Sequence, residues 1–241
     1  MIEDPKPPSR PPESASREPG QTGISVKAAW ITTIFAFFLF VILAWIVRRV
    51  ETAALEAQWL LAFRSPERPA EPLGPGWLEE TVRDFTALGS HGVLVTLVFA
   101  ATVFLLLTHR RRQAMVLALA YGSGIVANHL LKLALARPRP DVVEHLTTVY
   151  TASFPSGHAM LSTIVYLTLA MVLLRGQATP ATQHLAYGFA ASLALLVGVS
   201  RVYLGVHWPT DVLAGWAFGL AWALLFWQLD ARLQRSGSGG P

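Results

Sequence analysis

The residues able to do chemistry fall into three stretches of an otherwise apolar chain. The first, from Lys132 to Pro140, carries Lys132, Arg137 and Arg139. The second is Phe154-Pro155-Ser156-Gly157-His158, and the third, Ser200 to Asp211, carries Arg201, His207 and Asp211. Together they offer two imidazoles, a carboxylate and several fixed cations. Cysteine is absent, which excludes a thiol nucleophile, a thiolate metal site and a disulfide. Ionisable groups beside apolar runs are costly and mark function more often than structure. The chemistry that suits this set is attack by imidazole on phosphorus, with cations holding the oxygens.

Each stretch has local logic. His207 precedes Pro209, which fits the first turn of a helix, with Asp211 just behind. The ring can fold back onto the Asp211 carboxylate, which fixes its tautomer, raises its basicity and leaves the other nitrogen free to attack. Taken alone, the pair reads equally as a helix cap beside an interfacial His. Ser156 is a natural N-cap, Gly157 allows a ligand close to the backbone, and the free N–H groups of a helix start attract an anion. His158 at that mouth suits protonation of a leaving oxygen. Lys132 is embedded among leucines and reads as a functional point charge. The prolines at 138 and 140 push Arg137 and Arg139 towards extended backbone, where a guanidinium is a ready fork for phosphate. Arg137, just past an apolar run, reads as a cation snorkelling to lipid headgroups.

The combination is more specific than its parts. Lys132-x6-Arg139-Pro140, Pro155-Ser156-Gly157-His158 and Ser200-Arg201-x5-His207-x3-Asp211, in this order, resemble the three-part signature of the type 2 phosphatidic acid phosphatase superfamily, with every signature position matched. The likeness covers roughly Trp77 to Leu229. It implies a phosphohistidine intermediate formed without metal or other cofactor. His207 would be the nucleophile, Asp211 its orienting partner and His158 the acid that later activates water. Lys132, Arg139, Arg201, Ser156 and Gly157 would hold the phosphoryl oxygens. His91, His109, His129, His145 and His184 match no signature position.

The chain that must position these residues is 53% hydrophobic and 14% charged over 241 residues, too apolar for an ordinary soluble domain of this length. Its net charge of +4 is not arranged as a basic stripe with interleaved aromatics, so nucleic acid is not expected as a partner. Residues 1–26 read as a disordered tail, 27–230 as the transmembrane domain and 231–241 as a flexible C-terminal tail. The expected fold is all-α: an integral membrane bundle of about six transmembrane helices with a short interfacial helix after the first. The spans are placed at Ala28 to Val47, Gly92 to Thr108, Ala114 to Leu135, His158 to Leu174, Leu185 to Val206 and Asp211 to Leu229. Glu51 to Gly76 reads as a loop. In Trp77 to Leu88 the residues Leu78, Val82, Phe85 and Leu88 share a face, which fits a helix at the interface or one packed on the outside of the bundle.

The basic turn His109-Arg110-Arg111-Arg112 places that link in the cytoplasm. The N-terminus is then cytoplasmic, although Arg48 and Arg49 fall on the outer side against the rule. The first two chemical stretches and the third share the opposite, periplasmic or extracellular, face. This reads as a multi-pass protein of a bacterial inner membrane whose substrate is a lipid phosphate, with undecaprenyl pyrophosphate ahead of phosphatidic acid and phosphatidylglycerophosphate. Two further readings stand beside it: a lipid-to-lipid phosphotransferase using the same nucleophile, and a non-catalytic anion-binding transporter or scaffold.

Overall fold

The computed structural model describes residues 25–68, 70–174 and 179–237. The N-terminal tail expected at 1–26 therefore lies almost entirely outside the described residues. The elements are eight helices among the described residues: α1 (Val26–Arg49), α2 (Ala53–Leu61), α3 (Gly76–Ala87), α4 (His91–Leu107), α5 (Arg111–Leu135), α6 (Gly157–Leu173), α7 (Pro180–Tyr203) and α8 (Pro209–Gly237). The all-α expectation holds. Four of them, α1, α5, α7 and α8, are long and apolar enough to cross a membrane. The pair α3 and α4, bent by 45°, makes a fifth candidate, while α6 is an apolar helix of 17 residues.

Helix ends follow local chemistry. Ser25 and Ser90 accept hydrogen bonds from the N–H groups of Ala28 and Val93, starting α1 and α4. Thr179 does the same for Thr182, with Pro180 preset for the first turn of α7. The helix thus starts ahead of the Leu185 expected for this span, because this cap begins it. α5 stops at Ala136, which turns left-handed at φ 42°, directly before the Arg137-Pro138-Arg139-Pro140 run. α8 continues to Gly237, so the boundary placed at 230 falls inside a helix.

The core is built round α6, nearly every residue of which is buried. It packs against α8, α7, α5 and α4. α1 lies on α8 through the stripe Ala29, Ala36, Phe40 and Leu43, while Ile31, Phe35 and Phe38 face outward. Gly215 and Gly219 let α8 approach α6 backbone to backbone. A Cβ at Gly215 would stand 2.8 Å from the Ser156 carbonyl oxygen, and one at Gly219 would stand 2.7 Å from that of Met160. This is the small-x3-small device by which apolar helices come close in lipid. At the end away from the chemical residues, Arg110 donates to the carbonyls of Val172 and Leu173, closing the C-terminus of α6, and Arg112 pairs with Asp230 of α8 at 2.6 Å.

One element differs from the sequence expectation. Glu51 to Gly76 is not all loop: Ala53–Leu61 forms α2, whose buried residues are Glu56 and Leu60. Leu60 joins Val143 and Trp208 in a small cluster of its own. α3 forms as expected and rests against α7, with Val82 and Leu88 half-buried and no residue fully buried.

The close approach of α6 and α8 is directly testable. Gly219→Val adds branched bulk where a single Cβ already meets backbone. The expected cost is about 1–3 kcal/mol, read as a lower thermal unfolding midpoint in detergent. Gly92→Ala, at a position with nothing within 4 Å of an added Cβ, should leave the midpoint within error.

Candidate active site

The site forms where the C-terminal end of α5, the start of α6, the end of α7 and the start of α8 meet. Asp211, in the first turn of α8, is completely buried. One carboxylate oxygen, Oδ1, accepts from Arg137 Nη1 at 2.6 Å. The other, Oδ2, accepts from the Trp208 N–H at 3.0 Å and from the Ser153 hydroxyl, and lies 3.3 Å from His207 Nδ1. The carboxylate thus reaches back to the N–H that precedes its own helix and also lies against the imidazole. Because a carboxylate can only accept, His207 Nδ1 carries the proton and Nε2 the lone pair.

The His207 loop is braced from outside the bundle. Gly205 adopts φ +74°, and a Cβ there would stand 2.6 Å from Arg64 Nη2. Arg64 Nη1 donates to the Tyr203 carbonyl at 2.8 Å, and the Leu146 N–H donates to that of Leu204 at 3.1 Å. His207 itself is 2% exposed. Its pKa is held well below the ordinary imidazole value, first by burial and then by the positive charges of Arg139, Arg201 and Lys132. It is thus neutral at physiological pH, the state a nitrogen nucleophile requires.

The expected cations gather round the free nitrogen. Arg139 Nη1 lies 3.3 Å from His207 Nε2, and its guanidinium is steadied by the carbonyls of Val206 at 2.7 Å and Thr151 at 2.8 Å. Arg201 is buried and donates to Thr86 Oγ1 at 2.9 Å, leaving its Nε without a partner. Lys132 bonds the Ala152 carbonyl and lies within electrostatic reach of Arg139, Arg201 and Asp211. His158, the second residue of α6, packs beneath Gly89 with Arg201, His207, His91 and Arg139 as its titratable neighbours.

Two details at the start of α6 correct the sequence reading. Ser156 occupies the N-cap position, but its side chain makes no capping bond, and its buried Oγ has no partner. Its N–H is spent on the Asp211 carbonyl at 3.0 Å, so only the hydroxyl is left for a ligand. At Gly157 the group that a side chain would meet is the Asn128 amide, 3.2 Å from a built Cβ. Asn128 lies one turn before Lys132 on the same face of α5 and has an unpartnered, buried Oδ1.

Arg137 is the clearest correction. It does not snorkel. Its side chain is buried, with salt bridges at 2.6 Å to Asp211 and to Glu56 of α2. Its guanidinium lies over the Trp208 ring, 5.3 Å from the centroid. Glu56 and Ser153 are site residues that sequence reasoning missed, and Arg137 is one that it misread. The one sequence signal was the Arg-Pro-Arg-Pro run, whose two guanidinium groups grip opposite ends of the His207–Asp211 pair. Four cations (Lys132, Arg137, Arg139 and Arg201) stand against two carboxylates (Glu56 and Asp211), an excess of two positive charges that matches a phosphomonoester dianion. Among the described residues, no group of three His, Asp or Glu side chains gathers as a metal site.

A buried imidazole–carboxylate pair ringed by cations suits phosphoryl chemistry, and the comparisons identify the family. Residues 113–235 match the PAP2 superfamily, and the chain belongs to that superfamily. It is 31% identical over 205 residues to phosphatidylglycerophosphatase B of Bacillus subtilis, covering 84% of this chain and 96% of the relative. It is 32% identical to an undecaprenyl-diphosphatase of Sulfolobus acidocaldarius over 54% of this chain and 62% of that one. The crystal structure of a transmembrane PAP2-type phosphatidylglycerolphosphate phosphatase from Bacillus subtilis superposes with a TM-score of 0.74 at 29% identity, over 85% of this chain and 98% of the other.

Two measurements check the site. With the substrate's own phosphate ionisation subtracted, the acid limb of kcat/KM should lie below pH ~6.5, since the imidazole is already neutral there. Lys132→Ala should raise KM and lower kcat together, about tenfold or more in kcat/KM, because a cation on the phosphate acts in both ground and transition states.

Proposed function

We propose that the chain hydrolyses the phosphate of a membrane lipid through a phosphohistidine intermediate. The observation that carries this is the buried His207, fixed through Nδ1 by Asp211, with its lone-pair nitrogen turned towards Arg139. Nε2 attacks phosphorus, the bond to the lipid oxygen breaks, and His158 gives that oxygen a proton. His158 then takes a proton from water, the resulting oxygen attacks phosphorus, the P–N bond breaks, and inorganic phosphate leaves. Lys132, Arg139, Arg201 and the free Ser156 hydroxyl stabilise the charge on the equatorial oxygens throughout. Gly157 contributes its N–H at the positive end of α6.

The near full-length similarity to phosphatidylglycerophosphatase B favours phosphatidylglycerophosphate as substrate. Undecaprenyl pyrophosphate, which the outward-facing site alone put first, follows it. In this reading α1, α4, α5, α6, α7 and α8 are six spans. α6 is about 25 Å long at 1.5 Å per residue, short because its first turn is part of the site. α3 lies at the interface, the His109–Arg112 turn is cytoplasmic, and the site opens on the outer face, where headgroups are within reach.

The test is phosphate release by purified protein from phosphatidylglycerophosphate, phosphatidic acid and undecaprenyl pyrophosphate, with lipid products analysed in parallel. Turnover should be fastest on the first, survive chelation of divalent ions, be blocked by vanadate and vanish in His207→Ala. Turnover retained in His207→Ala would reject the nucleophile, and phosphate recovered on a second lipid would make the reaction a transfer.

A further inference from the structure

The hydrogen bonds of Asp211 continue beyond the signature residues. Arg137 spends Nη1 on Asp211 Oδ1 at 2.6 Å and on Thr210 Oγ1 at 2.7 Å. Its Nη2 reaches Glu56 Oε1 at 2.6 Å and Thr52 Oγ1 at 3.2 Å. Glu56 is equally committed. Its Oε1 also accepts from the Thr52 hydroxyl at 2.5 Å, and its Oε2 accepts from both the N–H and the hydroxyl of Thr210, at 3.0 and 2.6 Å. Trp208, beneath the guanidinium, donates its indole N–H to the Pro138 carbonyl at 3.1 Å. A carboxylate on α2 thus fixes a guanidinium, which fixes the carboxylate that fixes the nucleophile.

We propose that Glu56 and Arg137 are positioning residues of the active site, acting on His207 through Asp211. This rests on the reading of His207 as nucleophile. Buried ion pairs are poor devices for stability alone, because desolvation cancels much of their attraction. This one lies against the reacting pair, and Glu56 grips the first turn of α8 at Thr210, next to Asp211. A guanidinium does not release its proton, so the chain is not a proton relay. Its effect is geometric and electrostatic. Arg137 occupies Oδ1 and leaves Oδ2 as the face that Nδ1 must address. Its charge favours the ionised form of Asp211 against the cost of burial, and Glu56 balances that charge so that Asp211 is not drawn away from the imidazole.

The charges round Asp211 set the sign of the expected pH effects. Arg137 and His207 touch it, Lys132 from α5 and Arg139 from the loop act at longer range, and Glu56 from α2 stands behind Arg137. α6 presents the Ser156 N–H to its carbonyl, and the loop before α6 presents the Ser153 hydroxyl to Oδ2. Removing Arg137 leaves two buried carboxylates facing each other, so one of them binds a proton more readily. Removing the Glu56 charge has the opposite effect on Asp211.

The experiment measures kcat and KM against pH in purified full-length protein for Arg137→Gln, Arg137→Lys, Glu56→Gln and the double variant Glu56→Gln/Arg137→Gln. Arg137→Gln should lower kcat about a hundredfold and move the acid limb up by about one pH unit or more. Arg137→Lys should recover part of kcat and keep the wild-type limb. Glu56→Gln should lower kcat about tenfold with KM little changed and no upward shift of the limb. The double variant should move the limb back towards wild type and be no slower than Arg137→Gln, because the repulsion it suffers is gone. If Arg137→Gln does not fold, Glu56→Gln and Arg137→Lys decide through their kcat and KM. Folded variants with wild-type kcat and pH limbs, or losses that simply multiply, would overturn the proposal. Turnover in His207→Ala measured alongside would instead reject the nucleophile reading on which it rests.

Discussion

Everything at this site depends on one buried negative charge. The Asp211 carboxylate has no access to water and is tolerable only because both of its oxygens are engaged: by Arg137 on one, and by Ser153, Trp208 N–H and the His207 ring on the other. The partners come from the loop after α5, the loop before α6 and the turn into α8. Satisfying this charge therefore gathers the elements that carry the rest of the chemistry. In general, stripping one partner from a buried pair costs about 3–5 kcal/mol, which is a large fraction of the stability of a domain. Fold and site share this commitment.

The opposite sign dominates on the other side of the imidazole. Arg139 and Arg201 are held by neutral oxygens (the carbonyls of Val206 and Thr151, and the Thr86 hydroxyl), and Lys132 by the Ala152 carbonyl. None of these partners cancels a charge. The positive potential is left uncancelled, and after burial, which lowers the His207 pKa most, it further holds the imidazole in its neutral form. In the proposed reaction, the field that attracts the phosphate also helps to keep the attacking nitrogen neutral.

The apolar helices and the signature residues were legible in the sequence because both depend on local pattern. Long runs of Leu, Val and Ala identify α1, α4, α5, α6, α7 and α8 wherever they pack, and the spacing of Lys132, Arg139, His158, Arg201, His207 and Asp211 survives without knowledge of contacts. What was not legible depends on partners distant in sequence. Arg137, following an apolar run and flanked by proline, has the local appearance of a headgroup anchor, and its two carboxylates lie 74 and 81 residues away. α2 buries a Glu and a Leu instead of an apolar stripe, so its short sequence carries no amphipathic signal. Ser153 belongs to no motif in the sequence, yet it touches both His207 and Asp211. Ser156 was assigned a capping bond that its surroundings do not supply.

The glycine contacts between α6 and α8 act as a fulcrum. Gly215 lies four residues beyond Asp211, about 6 Å along the helix axis, and it touches the carbonyl of Ser156, immediately before the first turn of α6. If α8 rocks against α6 at these closest backbone contacts, it turns about a point roughly one helical turn from Asp211. A tilt of a few degrees sweeps the far end of α8 through a couple of ångströms and moves Asp211 by about half an ångström or less. The lever is short on the side where distances matter, so the two halves of the site keep their spacing while the remainder of the bundle follows its solvent.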